Sequence, residues 1–240
     1  MRILLAFLLI SPIFLQAQSQ KALDLYGEGV KNFYSEDYEQ AIKFFSESIQ
    51  LEEDFQIALF NRGQALMQLK SYSKAIEDFN HVIGLDSNYV DAYKELSTCL
   101  IKTNKFKEAI SQLHKMIAFN PNVVSPYKQL GLCYYYTRKY QLAEDANTVY
   151  LNGNGNENDL KAWFQKGLSN FYYADYQTAI KDFTAVYELN NQYTTALEWR
   201  GRCYQKANYI NKACADWELA IEKGLKSSED YLQKYCGPTR

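Results

Sequence analysis

The chain has 240 residues, of which 28 are acidic and 26 are basic, and its formal net charge is −2. This balance argues against a nucleic-acid-binding protein, because recognition of phosphates requires a strongly basic surface. It also gives no indication that an anionic membrane surface is the partner.

Residues 1–17 predict a secretory signal peptide. Arg2 is followed by an almost unbroken apolar run from Ile3 to Leu15 and then by a small residue, Ala17. A basic start, a short apolar middle and a small residue at the cut are typical of such leaders. The apolar run of about 13 residues is short for a membrane span, which needs about 20. We therefore expect cleavage after Ala17 and a mature chain that is exported to the periplasm or cell envelope, or secreted, without membrane insertion; an uncleaved anchor is the alternative.

An alanine recurs at a nearly constant spacing through the rest of the chain. The six alanines are Ala41, Ala75, Ala109, Ala143, Ala179 and Ala213. Their numbers differ by 34 at every step except the one from Ala143 to Ala179, where the difference is 36. A small residue stands twelve positions before each of them, at Gly29, Gly63, Ser97, Gly131, Gly167 and Gly201. A large residue stands four positions after five of them, at Phe45, Phe79, Leu113, Phe183 and Trp217, with Asn147 as the exception.

The pattern predicts pairs of antiparallel helices. The small residue and the alanine let the two backbones approach closely. A single pair cannot bury its apolar stripe, so neighbouring pairs must stack. The fifth copy contains Trp163, Gly167, Tyr176, Ala179 and Phe183, and this pattern with its 34-residue period resembles the tetratricopeptide repeat family.

The resemblance implies an all-α fold, a right-handed α-solenoid of about six helix-turn-helix units forming a single domain over residues 18–240. The predicted repeats are residues 22–55, 56–89, 90–123, 124–157, 160–193 and 194–227, followed by a capping helix over 228–236. The run from Lys212 to Cys236 resembles the closing segment of exported repeat proteins of the Bacteroidota.

The fourth repeat departs from the pattern after Asn147. The segment from Asn147 to Asn158 contains Gly153 and Gly155 between asparagines, and these residues favour turns. We expect a loop that replaces the end of the second helix, with Asp159 capping the next helix. A phosphate-binding loop is the less favoured alternative, because no strand precedes the glycines and no lysine follows them.

The five cysteines fall into two groups. Cys99, Cys133 and Cys203 share one register of three first helices, which suits buried packing. Cys214 and Cys236 lie outside that register. Export would permit a disulfide, and we favour Cys214 with Cys236; a bond between Cys203 and Cys214, or no bond, is the alternative.

No group of residues indicates catalysis. His81 and His114 lack the spacing of a metal site, and no serine or cysteine nucleophile has an evident histidine partner. We therefore expect a protein that is not an enzyme and that uses no cofactor or metal.

Binding of a protein or peptide is the favoured function. In tetratricopeptide solenoids the first helices line a concave face, and the resemblance implies that residues there bind the partner. Exposed aromatic residues and arginines are frequent anchors of such surfaces. A glycan-uptake accessory and a structural subunit of a secretion or outer-membrane assembly machine are the alternatives, and the oligomeric state is left open. The candidate residues are Tyr26, Phe33, Tyr34, Phe60, Met67, Lys94, Lys102, Lys128, Tyr135, Tyr136, Phe164, Phe171, Tyr172, Arg202 and Lys206.

Overall fold

The computed structural model describes residues 12–153 and 156–237, with side chains from residue 19 onward. These residues form thirteen α-helices and one short 3-10 helix, and they contain no β-strand. The predicted all-α repeat fold is confirmed. No helix in this part of the chain combines the length and the apolar character that a membrane crossing needs.

The predicted leader lies mostly outside the described residues. Residues 1–11 are not described, and the backbone from Pro12 to Ala17 forms the beginning of the first helix. The signal peptide and its cleavage after Ala17 therefore stay predictions.

The chain divides into two compact units, one ending at Phe119 and the other beginning at Asn120. The single domain over residues 18–240 stays a prediction. Unit 1 contains α1 (Pro12–Tyr34), α2 (Tyr38–Leu51), α3 (Gln56–Gln68), α4 (Tyr72–Leu85), α5 (Val90–Lys102) and α6 (Phe106–Phe119). Unit 2 contains α7 (Ser125–Tyr136), α8 (Tyr140–Leu151), α9 (Leu160–Tyr173), α10 (Tyr176–Leu189), α11 (Thr195–Lys206), α12 (Ile210–Glu222), a 3-10 turn (Lys226–Ser228) and α13 (Glu229–Cys236).

The turn inside each helix pair uses a left-handed residue at a fixed position. The N–H of the residue after it donates to a carbonyl of the first helix, as from Asp37 to Asn32 at 3.0 Å. This bond closes the end of the helix in the way that a left-handed cap does. The six left-handed residues, with φ between 57° and 69°, are Glu36, Lys70, Asn104, Arg138, Ala174 and Asn208.

The recurring glycine and the recurring large residue touch each other. A Cβ added at Gly63 would lie 2.7 Å from the Phe79 ring, and one added at Gly201 would lie 2.5 Å from Trp217 Nε1. Phe79 and Trp217 are fully buried. The glycine therefore makes room for the ring that fills the space between the two helices of a pair, since no other residue leaves that volume empty.

The fourth repeat differs from its predicted form. α8 continues regularly to Leu151, so the expectation that the helix gives way at Asn147 is wrong. Asn147 is fully buried, and its Nδ2 donates to the Ala143 carbonyl at 2.8 Å. This bond satisfies one N–H of the amide within the helix, which is why the polar residue does not end it, while Oδ1 has no hydrogen-bond partner among the described residues.

The turn between α8 and α9 begins at Asn152, and Gly155 lies outside the described residues. Asp159 caps α9 as expected, because its Oδ1 accepts from the N–H groups of Lys161 and Ala162 at 3.1 Å each.

Candidate partner-binding surface

Rings from α7, α8, α9 and α11 form one connected group in unit 2. Tyr172 lies 5.8 Å from Tyr135 and 5.4 Å from Tyr140, measured between ring centroids. On its other side, Tyr172 lies 6.2 Å from Trp199, which is 5.2 Å from Phe171. Contacts of this kind stabilise the rings beyond the area that they bury. We call Tyr135, Tyr140, Phe171, Tyr172 and Trp199 the unit 2 aromatic surface.

Arg202 extends this surface. Its guanidinium carbon lies 3.7 Å from the centroid of Trp199, 5.1 Å from that of Phe171 and 5.5 Å from that of Tyr231 in α13. Cation–π attraction holds the guanidinium over the indole ring. The N–H groups of Arg202 are the part of the side chain suited to binding an anionic partner.

Part of the surface is open to solvent. Tyr172 is 46% exposed, and Tyr136, whose ring lies 5.5 Å from that of Tyr135, is 57% exposed. Tyr135 is more enclosed: burial first, and then the neighbouring tyrosines, raise the pKa of its phenol to about 12. The Tyr172 side chain is among the causes of this shift through a hydrogen bond, so the two hydroxyls lie close together.

The predicted residues of unit 1 contact residues of their own repeat or of the next one. The hydroxyl of Tyr26 accepts from Asn61 Nδ2 at 2.9 Å, while its ring packs near Phe45. Phe33 packs on Tyr34, which is 83% exposed at the end of α1. Met67 is half-buried, and Lys94 and Lys102 are exposed.

Phe60 does not belong to a binding surface. Its side chain is buried, with ring centroids of Phe79 and Tyr89 at 5.7 Å and 5.2 Å. Phe164 is similar, because its half-buried ring lies 5.4 Å from both Phe183 and Tyr193. Both rings occupy the seam between consecutive repeats, where burial of apolar area favours them over exposure.

Lys128 is not a free cation. It pairs with Asp159, and its Nζ lies 5.4 Å from the Tyr150 centroid. Burial works to raise the pKa of Asp159, but the hydrogen bonds from Lys128, the Ala162 N–H and Tyr150 outweigh it and lower that pKa. Lys128 therefore supports the cap of α9. Lys206 is exposed, as expected for a residue that could meet a partner.

Comparison with protein-family profiles identifies the repeats. A sequence profile described as tetratricopeptide repeat matches residues 26–90, and a second one with the same description matches residues 66–131. The chain contains tetratricopeptide repeats. No curated protein sequence gives a significant match.

Solved structures of other proteins have the same fold. YrrB, described as having an unusual peptide-binding site, aligns with a TM-score of 0.69 and 21% identity over 79% of this chain and 97% of its own. The C-terminal part of a repeat protein from Cytophaga hutchinsonii aligns with a TM-score of 0.74 and 18% identity over 88% and 87%. MamA of Desulfovibrio magneticus RS-1 aligns with a TM-score of 0.66 and 24% identity over 72% and 97%. Identities this low support the fold and nothing more specific.

Two of the tetratricopeptide repeats carry a buried ion pair that the sequence analysis missed. Arg62 holds Asp78 through two bonds of 2.9 and 2.6 Å, and Arg200 holds Asp216 through bonds of 2.8 and 2.7 Å. Each arginine directly precedes the repeat glycine, and each aspartate directly precedes the buried ring. An arginine before the repeat glycine and an aspartate before the buried ring therefore occur together in both repeats. This shared pattern is the signal in the sequence that could have revealed the pairs.

The surface includes two rings that the sequence analysis did not select, Tyr140 and Trp199, and a third unselected ring, Tyr231, lies beside Arg202. Trp199 lies three residues before Arg202, a spacing that puts both side chains on one side of a helix. An i, i+3 pair of tryptophan and arginine was therefore available as a signal. Tyr231 lies in α13, and no local pattern links it to Arg202.

The cysteines are either bonded or deeply buried. Cys214 and Cys236 form a disulfide that joins α12 to the end of α13. Cys99, Cys133 and Cys203 are free, and burial raises the pKa of each thiol to about 12. A thiol with such a pKa is a poor nucleophile at neutral pH.

Proposed function

We propose that this protein is a non-catalytic protein-interaction scaffold of the cell envelope that holds a peptide segment of its partner on the unit 2 aromatic surface. The observation that carries the proposal is the connection of five rings and Arg202 across four helices, with Tyr172 and the adjacent Tyr136 open to solvent. Rings that are already held by their neighbours lose little conformational freedom when a partner binds. They are therefore efficient anchors.

The chemistry of the other reactive side chains supports a binding role. The three free thiols are buried and protonated, as described above. His81 Nε2 lies 2.9 Å from an oxygen of the exposed Asp54, so an ordinary surface pair accounts for it. The solved neighbour YrrB is described as having a peptide-binding site, which agrees with a peptide as the ligand of this fold.

Two features support export of the protein. Residues 1–17 have the layout of a leader, and the disulfide of Cys214 with Cys236 suits an oxidising compartment. Fractionation of the native cells, with mass spectrometry of the mature N-terminus, tests this part. Recovery in the envelope fraction with Gln18 as the first residue is expected, and an intact Met1 start in the cytosol would contradict it.

A glycan-binding function is less well supported, because sugars stack on open aromatic faces. Trp217 is fully buried, the guanidinium of Arg202 covers Trp199, and Lys166 Nζ lies 5.2 Å from the Trp163 centroid. Each tryptophan is therefore buried or has a cation of the protein over its ring, so a sugar would have to stack on the exposed tyrosines instead.

Screening of a displayed peptide library tests the proposal, with the Tyr172→Ala variant as the comparison. We expect the wild-type protein to select peptides and the variant to bind them at least about tenfold more weakly, a change of about 1.4 kcal/mol. Tyr173→Ala is the matched control, because Tyr173 is 55% exposed on the same helix but lies outside the aromatic surface. An equal loss in both variants, or no selected peptide, would contradict the proposal.

A further inference from the structure

The charges of unit 2 are divided between its first and second helices. The second helices α8, α10 and α12 carry seven acidic and two basic residues, whereas the only carboxylate of the first helices is Glu198. The chain as a whole is slightly acidic, so its composition does not explain an excess of basic residues on the first helices. The first helices α7, α9 and α11 carry six basic residues: Lys128, Lys161, Lys166, Arg200, Arg202 and Lys206.

Three of these cations already have carboxylate partners. Lys128 pairs with Asp159, Arg200 pairs with Asp216, and Lys166 lies within 3.5 Å of carboxylate oxygens of both Glu144 and Asp182. Glu198 is also engaged, since its Oε2 accepts from the Ser227 and Ser228 hydroxyls at 2.5 and 3.2 Å. It forms no salt bridge with Lys161, Arg202 or Lys206.

The other three cations have no carboxylate within salt-bridge distance among the described residues: they are Lys161, Arg202 and Lys206. Arg202 and Lys206 are four residues apart on α11 and therefore lie on one side of the helix. Like charges at this spacing are mildly destabilising unless an anion lies between them. The stack on Trp199 fixes the Arg202 guanidinium in place and so restricts its escape from this repulsion.

We propose that the partner segment held by unit 2 is an acidic peptide. One carboxylate accepts two hydrogen bonds from the N–H edge of Arg202, a second carboxylate lies against Lys206, and an apolar side chain of the peptide packs on Tyr172. The inference rests on the proposed function, because it names the chemistry of the ligand at that same surface. Charge complementarity of this kind sets the specificity and the association rate of a complex.

A peptide fits this charge arrangement better than a nucleic acid does. Nucleic acids present a dense row of phosphates, and their binding proteins neutralise many of them at once. Here the unpaired cations number three, and the acidic second helices would repel a longer polyanion. A short segment with two or three carboxylates matches the available charge.

Fluorescence anisotropy of the full-length protein with three synthetic dodecapeptides tests the inference. The peptides share one leucine anchor and differ only in carrying glutamate, glutamine or lysine at the flanking positions. We expect the glutamate peptide to bind at least about tenfold more tightly than the glutamine peptide, with a preference that weakens as salt is added. The lysine peptide should bind most weakly.

The Arg202→Gln/Lys206→Gln variant should lose the preference for glutamate while keeping the binding of the glutamine peptide. Lys181→Gln/Lys212→Gln is the matched control, because it removes the same charge from the second helices α10 and α12. Lys206→Gln alone, at an exposed side chain, should lose part of the preference even if replacement of Arg202 disturbs the packing on Trp199.

The possible failures are distinguishable. If the glutamate and glutamine peptides bind equally and Tyr172→Ala weakens both, the acidic partner is wrong and the peptide-binding surface stands. If none of the three peptides binds, while the library selects none either, both proposals fail. An RNA oligonucleotide, anionic vesicles and unlabelled peptide can each be tested as competitors of a bound glutamate peptide. If the RNA or the vesicles displace it at a lower concentration than the unlabelled peptide does, the acidic-peptide assignment is also wrong.

Discussion

Unit 1 and unit 2 are built from the same repeat, but their aromatic residues form contacts of different extent. In unit 1 the rings meet in small groups, as where Tyr26 contacts Phe45 and Phe55 or where Phe60 contacts Phe79 and Tyr89. In unit 2 one group of rings continues from α7 to α11, and Arg202 connects it to α13. The repeat pattern determines which residues form the core. Residues at other positions determine whether the rings of neighbouring repeats form one continuous surface.

Their charges differ in the same way. The first helices of unit 1 carry five basic and four acidic residues, whereas those of unit 2 carry six basic residues and one acidic residue. The balanced charges of unit 1 provide little attraction for a charged partner. Unit 2 combines an aromatic surface with unpaired cations, and we therefore locate the proposed site there.

The two units share the buried arginine–aspartate pair, and its removal should have the largest effect. Arg62→Met in unit 1 and Arg200→Met in unit 2 should each reduce the free energy of unfolding by about 3–5 kcal/mol, because a buried carboxylate is left without its partner. Urea unfolding followed by far-UV circular dichroism measures both variants. Tryptophan fluorescence reports on unit 2 alone, since all three tryptophans lie there.

The control for this prediction is the double variant Arg200→Met/Asp216→Leu, which removes both charges. It should be more stable than Arg200→Met alone, because no unpaired carboxylate remains. A double variant as unstable as the single one would indicate that packing, rather than the charge, explains the loss.

The disulfide distinguishes the units, because unit 1 has none among its described residues. Cys214→Ser/Cys236→Ser should lower the free energy of unfolding by about 3 kcal/mol, as expected for a bond that closes a loop of about 20 residues. Tryptophan fluorescence measures the change, since Trp217 stacks on Tyr231 of α13 at 5.4 Å. A reducing agent should destabilise the wild-type protein and leave the double variant unchanged; an effect of equal size on both would contradict this account.

The repeat glycines should be intolerant of a methyl group in both units. Gly63→Ala and Gly201→Ala should each cost about 2–3 kcal/mol, because the new Cβ would lie 2.7 Å from Phe79 or 2.5 Å from Trp217. Gly27→Ala in α1 is the control, since nothing lies within 4 Å of the added atom. There the better helix propensity of alanine should stabilise the protein by up to about 1 kcal/mol. Thermal melts of the three variants provide the measurement, and a stabilised Gly201→Ala would contradict the contact.

The smallest effect should come from Asp182, at the junction of α8, α9 and α10 in unit 2. Burial, opposed by Lys166 and Asn170, raises the pKa of this carboxyl from 3.8 to about 6. Glu144 competes for the same lysine, Asn170 donates to Asp182 at 2.7 Å, and Cys203 faces it from α11. Unlike Asp78 and Asp216, it is held by a lysine that two carboxylates share.

A raised pKa means that the folded protein favours the protonated form of Asp182. Its contribution to stability is therefore complete below about pH 4 and is lost as the pH rises through 6, by about 1–2 kcal/mol. Urea unfolding of the wild-type protein and of Asp182→Asn at pH 4 and pH 7 isolates this contribution. At pH 7 the free energy of unfolding of Asp182→Asn should rise relative to the wild type by that amount. Glu218→Gln, at an exposed carboxylate of α12, should show no such rise. A gain at the lower pH would reverse the assigned direction.

Much of the fold could be predicted, because the repeat landmarks are also the contact points. Gly201 and Trp217 hold fixed places in the repeat and touch in the structure, so their spacing and their packing have the same cause. Asn147 shows the limit of that reasoning. Its polarity suggested the end of a helix, but a hydrogen bond to the Ala143 carbonyl keeps it inside α8.

The candidate surface could be predicted only in part. The positions of Tyr135, Phe171, Tyr172 and Arg202 follow from the repeat register, and these residues do meet. Lys128 occupies one of the first-helix positions that the sequence analysis assigned to partner binding. In the structure its charge is paired with that of Asp159, which precedes the following repeat. Phe60 has a binding register as well, yet it is enclosed by Phe79 and Tyr89.

The sequence alone determined that the chain consists of paired helices at a nearly constant period, because small and large residues at fixed places let the two helices of a pair pack closely. Only the tertiary structure decided which rings remain open and which cations remain unpaired. The physical reason is that burial and ion pairing depend on side chains from neighbouring helices, and the register of a single repeat does not specify what those neighbours contribute.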